Sequence, residues 1–214
     1  MPHRSPTTRL FLLGLILLVA LGAPACSRST GSGKLTGHTR PLAKQVGGVT
    51  ITEVRAGLPD TAFAFRAAPG RMLFTFFGFT HCPDLCPTTL GDLRKALRKL
   101  GEDADRVDVS FITVDPDRDS AEVMTRYLRS FFLESHALRP ATREELLAVQ
   151  AAFGATSSVT KKPDGDSDVA HTAASYIVDE QGRVLVEWDF GTKPADMAAD
   201  LRILFDRRKG TPSR

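Results

Sequence analysis

The run RMLFTFFGF (residues 71–79) is almost unbroken in apolar and aromatic side chains, the pattern of a strand buried on both faces. VDVSFITV (107–114) reads the same way, and VTITEV (49–54) and TAFAF (61–65) are shorter strand candidates. Leu90, Leu93, Leu97 and Leu100 recur at helical spacing while Asp92, Arg94, Lys95, Arg98 and Lys99 take the opposite side, which predicts an amphipathic helix. SAEVMTRYLRSFF and TREELLAVQAAF carry apolar residues at 124, 127, 128 and 131 and at 146, 149 and 153, predicting two more helices. TAASYIVD and RVLVEW, joined by Glu180, Gln181 and Gly182, predict a hairpin, and PADMAADLRILFDRR a closing helix with Pro194 in its first turn.

Strands alternating with helices imply an α/β domain whose sheet is mainly parallel, and the late hairpin adds antiparallel strands. The expectation is a thioredoxin-like fold, a central mixed sheet flanked by helices. In such open sheets, reactive groups gather in loops beyond the carboxyl ends of the strands, and the loop after residue 79 leaves the sheet at such a place.

The first residues follow a different pattern. Arg4 and Arg9 precede LFLLGLILLVALGA (10–23), and Ala23-Pro24-Ala25 resembles a cleavage site, so residues 1–25 read as a signal peptide or membrane anchor. Cleavage there would leave Cys26 first, the position lipidated in bacterial lipoproteins. Residues 26–48, rich in Ser, Thr, Gly and Lys, read as a flexible tether, and 49–210 as the folded domain. Lipidation, a retained anchor and free export all place the domain outside the cytoplasm. Composition adds little: 214 residues at 42% hydrophobic and 25% charged suit one globular domain. There are 28 Lys and Arg against 25 Asp and Glu, and removing Arg4 and Arg9 leaves an excess of one, so nothing points to a nucleic-acid partner.

The chemistry sits in GFTHCPDLCPTTL (78–90), where Cys82 and Cys86 are each followed by a proline. A residue before proline is pushed toward extended geometry, and Pro87 suits a helix's first turn, so the pair is expected in a shaped loop entering a helix. The positive end of the helix favours thiolate over thiol, so both sulfurs are expected to be reactive. Two uses follow: a reversible disulfide, or a pair of soft metal ligands. A purely structural disulfide would close too short a loop to stabilise much.

A third ligand has to come from elsewhere. Of five histidines, His3 lies in the signal, His38 in the tether, His136 among helix-end residues as a solvated side chain, and His81 beside Cys82, where it tunes the loop. His171 ends the polar stretch KKPDGDSDVAH and enters the strand TAASYIVD, where thioredoxin-like reductases carry a proline facing their cysteines. Two thiolates and one imidazole leave zinc short of its usual four protein ligands, while copper accepts a soft, low-coordinate set.

GFTHCPDLCPTTL, followed by ITVDPDRDS and by a late histidine with Thr172 and a strand ending in Asp179, resembles the Sco/SenC/PrrC family over about residues 71–190. The resemblance implies a membrane-tethered periplasmic metallochaperone. It would bind one copper ion per chain through Cys82, Cys86 and His171 and deliver it by ligand exchange to the copper-site subunit of cytochrome c oxidase, chiefly for the CuA centre. Other periplasmic copper or thiol-redox proteins are further expected partners. Asp115, Pro116, Arg118 and Asp119 match the family's downstream segment, and they also read simply as a turn with Asp119 or Ser120 capping the next helix. Members commonly carry aspartate immediately before the histidine, whereas here Ala170 holds that place and Asp168 lies two residues earlier. The alternative is an enzyme, a thiol:disulfide oxidoreductase using Cys82 and Cys86 as its redox pair, for which His171 is optional. A peroxiredoxin-type peroxidase lacks the threonine expected three residues before its cysteine, since Phe79 and Pro83 stand there.

Overall fold

The structure is a computed structural model that describes residues 33–163 and 166–209, so the signal segment and Cys26 lie outside the described residues. Its centre is β3 (Met72–Gly78), all seven of whose residues are buried. β3 pairs in parallel with β4 (Val107–Thr113) and antiparallel with β8 (Ser175–Val178), which in turn pairs with β9 (Val184–Trp188). On the other side, β4 is followed by β5 (His136–Leu138), β1 (Thr50–Val54) and β2 (Thr61–Ala64), giving the order β2-β1-β5-β4-β3-β8-β9. The sheet is mixed and thioredoxin-like, as the alternation of elements predicts.

Helices α1 (Leu85–Leu100), α2 (Ala121–Arg129), α3 (Arg143–Phe153) and α4 (Pro194–Lys209) fall where the apolar spacing places them. Successive residues of β3 point to opposite faces, and each meets an aromatic layer. Phe76 faces Phe111, whose ring approaches Tyr127 of α2, whereas Phe77 meets Phe153 of α3 and Tyr176 edge-on. Both faces are therefore dry, which is why the strand carries no polar alternation.

Three elements escape the sequence pattern. β5 holds His136 half-buried, its Nδ1 2.8 Å from Glu53 Oε1, where a solvated helix end was expected. Its three residues are too short to show a period, and the pairing partner Glu53 lies 83 positions away. The polar stretch before residue 171 folds as a separate two-stranded sheet, β6 (Ser157–Lys161) against β7 (Ser167–His171), mostly half-exposed or exposed.

Residues 33–48, expected as flexible tether, are laid against the sheet edge. His38 and Glu187 exchange backbone hydrogen bonds at 2.8 and 2.9 Å, and Val46 N donates to Gly182 O. Leu35 and Val46 are buried, and the carboxylate of Asp200 accepts from Thr36 N, Gly37 N and Trp188 Nε1. An exposed edge such as that of β9 presents unpaired backbone groups, and this segment covers them. Two isolated apolar anchors in a Gly- and Ser-rich run are too sparse to register as a pattern.

Candidate metal centre

Cys82 and Cys86 stand at the carboxyl end of β3, as expected for this class of sheet. Gly78 O accepts from Val114 N at 2.8 Å, and Phe79 O accepts from Cys82 N at 3.2 Å, turning the chain out of the sheet into α1. Helix α1 already includes Cys86, so Cys86 is helical and not extended, although Pro87 follows it. The bias against helix before proline is overridden because Cys86 sits in the first turn, where its sulfur is locked into the core. Cys86 is fully buried and Cys82 half-buried, and both are unbonded thiols. The backbone N–H of Cys86 donates to Cys82 Sγ at 3.3 Å, so a helix N-terminal amide does point at the outer sulfur.

The inner sulfur departs from expectation. Burial pushes the Cys86 thiol far above the ordinary thiol range, against a smaller downward pull from the Phe79 backbone. Helix-end electrostatics do not make Cys86 a ready thiolate, since desolvation of the charged form outweighs them. Its packing also identifies Gly78, whose importance the sequence conceals. A Cβ on Gly78 would come within 2.8 Å of Cys86 Sγ and 2.7 Å of the Phe111 ring, so only glycine lets the sulfur lie against β3.

His171, the last residue of β7, reaches this sulfur from the other side. Its Nε2 lies 3.7 Å from Cys86 Sγ, and its Nδ1 lies 2.9 Å from Thr172 O. A carbonyl oxygen only accepts, so Nδ1 carries the proton and Nε2 presents its lone pair to the sulfur. Burial between the rings of Phe76 and Phe79, at 5.9 and 6.0 Å, holds the imidazole below the usual histidine value, against an opposing hydrogen bond to Thr172. The ring is thus neutral at pH 7, in the tautomer a metal ligand needs. With metal bonds of about 2.3 Å to sulfur and 2.0 Å to nitrogen, two ligands of one trigonal or tetrahedral ion lie about 3.5–3.8 Å apart. The Cys86–His171 separation has that span. Among the described residues, no group of three or more His, Cys, Asp or Glu is gathered closely enough to hold a metal as it stands.

Asp168 does not substitute for the aspartate expected before the histidine. Along β7, residues 168 and 170 are exposed while 167, 169 and 171 turn inward, so a two-residue shift keeps the same outward side. Asp168 pairs with Lys162 Nζ at 2.7 Å, and the carbonyl of Thr172 orients the imidazole instead.

The remaining expected residues lie close by. Ser120, not Asp119, caps α2, accepting from Val123 N at 3.3 Å. Asp119 is fully buried and accepts from Thr80 N at 3.0 Å and from the hydroxyls of Thr80 and Thr113 at 2.5 Å. It fixes the start of the cysteine loop to the end of β4. His81 is half exposed, with Nδ1 3.2 Å from Thr80 Oγ1 and 3.5 Å from Asp119 Oδ1. A larger groove, lined by Leu97, Val109, Leu128 and Phe131 among others, includes none of the three expected ligands.

Comparison with known proteins agrees with this architecture. A family model described as SCO1/SenC matches residues 60–206. The mitochondrial protein SCO2 homolog of Mus musculus is 36% identical over 128 residues, 59% of this chain and 49% of that protein. A putative copper-binding protein of Stutzerimonas stutzeri is 32% identical over 124 residues, 58% of this chain and 60% of that protein. The chain spans about half the length of the curated mammalian and fish relatives it matches. Among solved structures, ScoI of Bradyrhizobium japonicum with copper bound superposes with a TM-score of 0.61 at 33% identity, covering 72% of this chain and 96% of that one. With a family model that spans most of the folded domain and the cysteine loop standing where the sheet topology requires, the chain belongs to the SCO1/SenC family.

Proposed function

We propose that this protein is a copper metallochaperone that binds one copper ion through Cys82, Cys86 and His171. It passes the ion by ligand exchange to the copper-site subunit of cytochrome c oxidase, at the periplasmic face of the membrane. The observation that carries the reading is the 3.7 Å approach of His171 Nε2 to Cys86 Sγ with the Nδ1 proton already committed to Thr172 O. The copper-bound ScoI of Bradyrhizobium japonicum and the putative copper-binding protein of Stutzerimonas stutzeri support the choice of metal, and the family supports the recipient.

The residues divide the work. Cys86 supplies a desolvated sulfur whose proton leaves on loading, so uptake releases protons and strengthens with pH. Cys82, half-buried at the rim, is the ligand an incoming partner reaches first. Oxidation of the pair to a disulfide would remove both sulfur ligands together, tying loading to redox state. Copper supplies no bond-breaking step here, because it is the cargo.

The competing reading is a thiol:disulfide oxidoreductase, favoured by the adjacency of two reduced cysteines at a helix start. Anaerobic titration of the reduced protein with Cu(I), in wild type and His171→Ala, separates them. The chaperone reading expects one tight site per chain and an affinity loss in the variant of at least about 10-fold. Unchanged copper affinity in the variant, with retained reduction of partner disulfides, would decide for the oxidoreductase.

A further inference from the structure

The β6–β7 hairpin that carries His171 is not hydrogen-bonded into the main sheet. A two-stranded hairpin alone is marginal in water, so something must hold it over the cysteines. At its base, Thr172 N donates to Thr156 O and Thr156 N to Thr172 Oγ1, both at 2.9 Å, and Gln150 Nε2 donates to Ser157 Oγ. Val169 packs against the core. Toward the tip, one short turn, residues 115–119, reaches across to the hairpin. Arg118 Nη1 donates to Asp166 at 2.8 Å, and Lys161 Nζ lies 3.4 Å from Asp117.

That turn is itself firmly mounted. Arg118 Nε donates to the buried carboxylate of Asp115 at 2.5 Å, Asp115 N donates to Thr113 Oγ1, and Arg139 donates to Pro116 O. Asp119, two hydrogen bonds deep in Thr80, clamps the cysteine loop from the same turn. The guanidinium of Arg118 also lies 5.9 Å from the centre of Phe79, one of the two rings flanking His171. One five-residue turn therefore grips the cysteine half of the site with Asp119 and the histidine half with Arg118.

We infer that the 115–119 turn is the positioning element that sets the spacing between the cysteines and His171, and that Arg118 is its latch on the histidine hairpin. Because Arg118 spreads two edges of its fork over Asp115 and Asp166, a lysine point charge cannot make both contacts. Released from Asp166, β7 loses its hold at the end away from the base and shifts along its length, so that its last residue, His171, no longer keeps its spacing from Cys86. The assignment builds on the copper reading for its consequence, but the latch itself exists in the metal-free protein.

The test uses the reduced, metal-free full chain and two variants, Arg118→Lys and Asp166→Asn. Amide hydrogen exchange in β6 (Ser157–Lys161) and β7 (Ser167–His171) should accelerate by about 10-fold or more in both, with β3 and β4 unchanged, because local opening is read separately from global unfolding. Exchange that stays at the wild-type rate in the hairpin, or rises equally throughout the chain, overturns the latch. Should Arg118→Lys disturb the buried pair with Asp115 and unfold the domain, Asp166→Asn decides, since it leaves that pair intact. In Cu(I) competition titrations, Arg118→Lys should lower affinity by about 10-fold in the native background and by less than about 2-fold in His171→Ala, because residues acting through one group are not additive. Equal losses in both backgrounds would assign Arg118 a general structural role and overturn the inference. A wild-type protein that binds no Cu(I) refutes the chaperone reading, and hydrogen exchange still judges the latch.

Discussion

Cys86 and His171 face each other across 3.7 Å, and although the 115–119 turn ties to both halves, their supports differ in kind. Cys86 is packed into the first turn of α1, against a glycine of the central strand and beneath the aromatic layer of Phe76 and Phe111. His171 ends a hairpin whose outer strand is almost wholly exposed and whose tip is held by ion pairs. The first support is apolar burial, which is non-directional, salt-insensitive and strongly cooperative. The second combines burial of the imidazole between Phe76 and Phe79 and hydrogen bonds at the hairpin base with charged surface contacts toward the tip, each of the latter worth little alone and open to competition by solvent and salt. On the proposed copper reading, a site with one fixed and one releasable half can hold a soft ion and still give it up.

The contrast is sharpest in folding stability. Phe77 is fully buried and its ring meets Phe153 and Tyr176 edge-on, so Phe77→Ala should cost about 3–5 kcal/mol in chemical denaturation. Thr160 in β6 is exposed, and Thr160→Ala should stay within about 0.5 kcal/mol of wild type. A hairpin substitution as costly as the core one would erase the distinction.

A smaller effect is expected at the seam itself. Gly78→Ala places a methyl 2.8 Å from Cys86 Sγ and 2.7 Å from Phe111, both too close to keep. Overpacking of this kind should cost about 1–3 kcal/mol, and the displaced sulfur should show faster alkylation of Cys86 relative to Cys82. If Cys86 stays as slow to alkylate as in wild type, the glycine is not what seats the sulfur.

These residues also mark where sequence reading succeeds and where it stops. β3 and β4 were legible as unbroken apolar runs, the helices from their apolar spacing, and the cysteine loop because two Cys-Pro pairs leave few alternatives. His171 was singled out through topology and family likeness together, as its own neighbourhood is merely polar, and the structure sets it beside Cys86. The roles of Gly78, Asp119 and Arg118 were not legible, since each depends on a partner 6 to 48 residues away that no local pattern announces. The same holds for the strap of residues 33–48, whose pairing with β9 and Asp200 joins distant parts of the chain. The reactivity expected of Cys86 failed for a physical reason: helix-end position was visible in the sequence, but the depth of burial that outweighs it was not.

The mildest test of the comparison is pH. Burial between Phe76 and Phe79 lowers the His171 pKa in the folded state, so the unfolded chain binds its proton more readily. Between the folded value and the unfolded value of about 6.5, the unfolded state holds more protons, and stability therefore rises with pH through that window. Acidification from pH 7 should weaken the metal-free protein by at most about 1.4 kcal/mol per pH unit from this group. Glu53 adds in the same direction: burial alone would raise its pKa, but hydrogen bonds from His136 and Arg55 outweigh it and lower the net value, so its contribution is lost as the carboxyl protonates at lower pH. Denaturant midpoints measured from pH 7 to 5 in wild type and His171→Asn isolate the histidine share, because Asn does not titrate and Glu53 is common to both. The two curves should converge as pH falls, with wild type losing stability faster. Parallel curves would mean that the imidazole takes up its proton as readily in the folded chain as in the unfolded one, and the pocket between Phe76 and Phe79 would then impose no desolvation cost on His171.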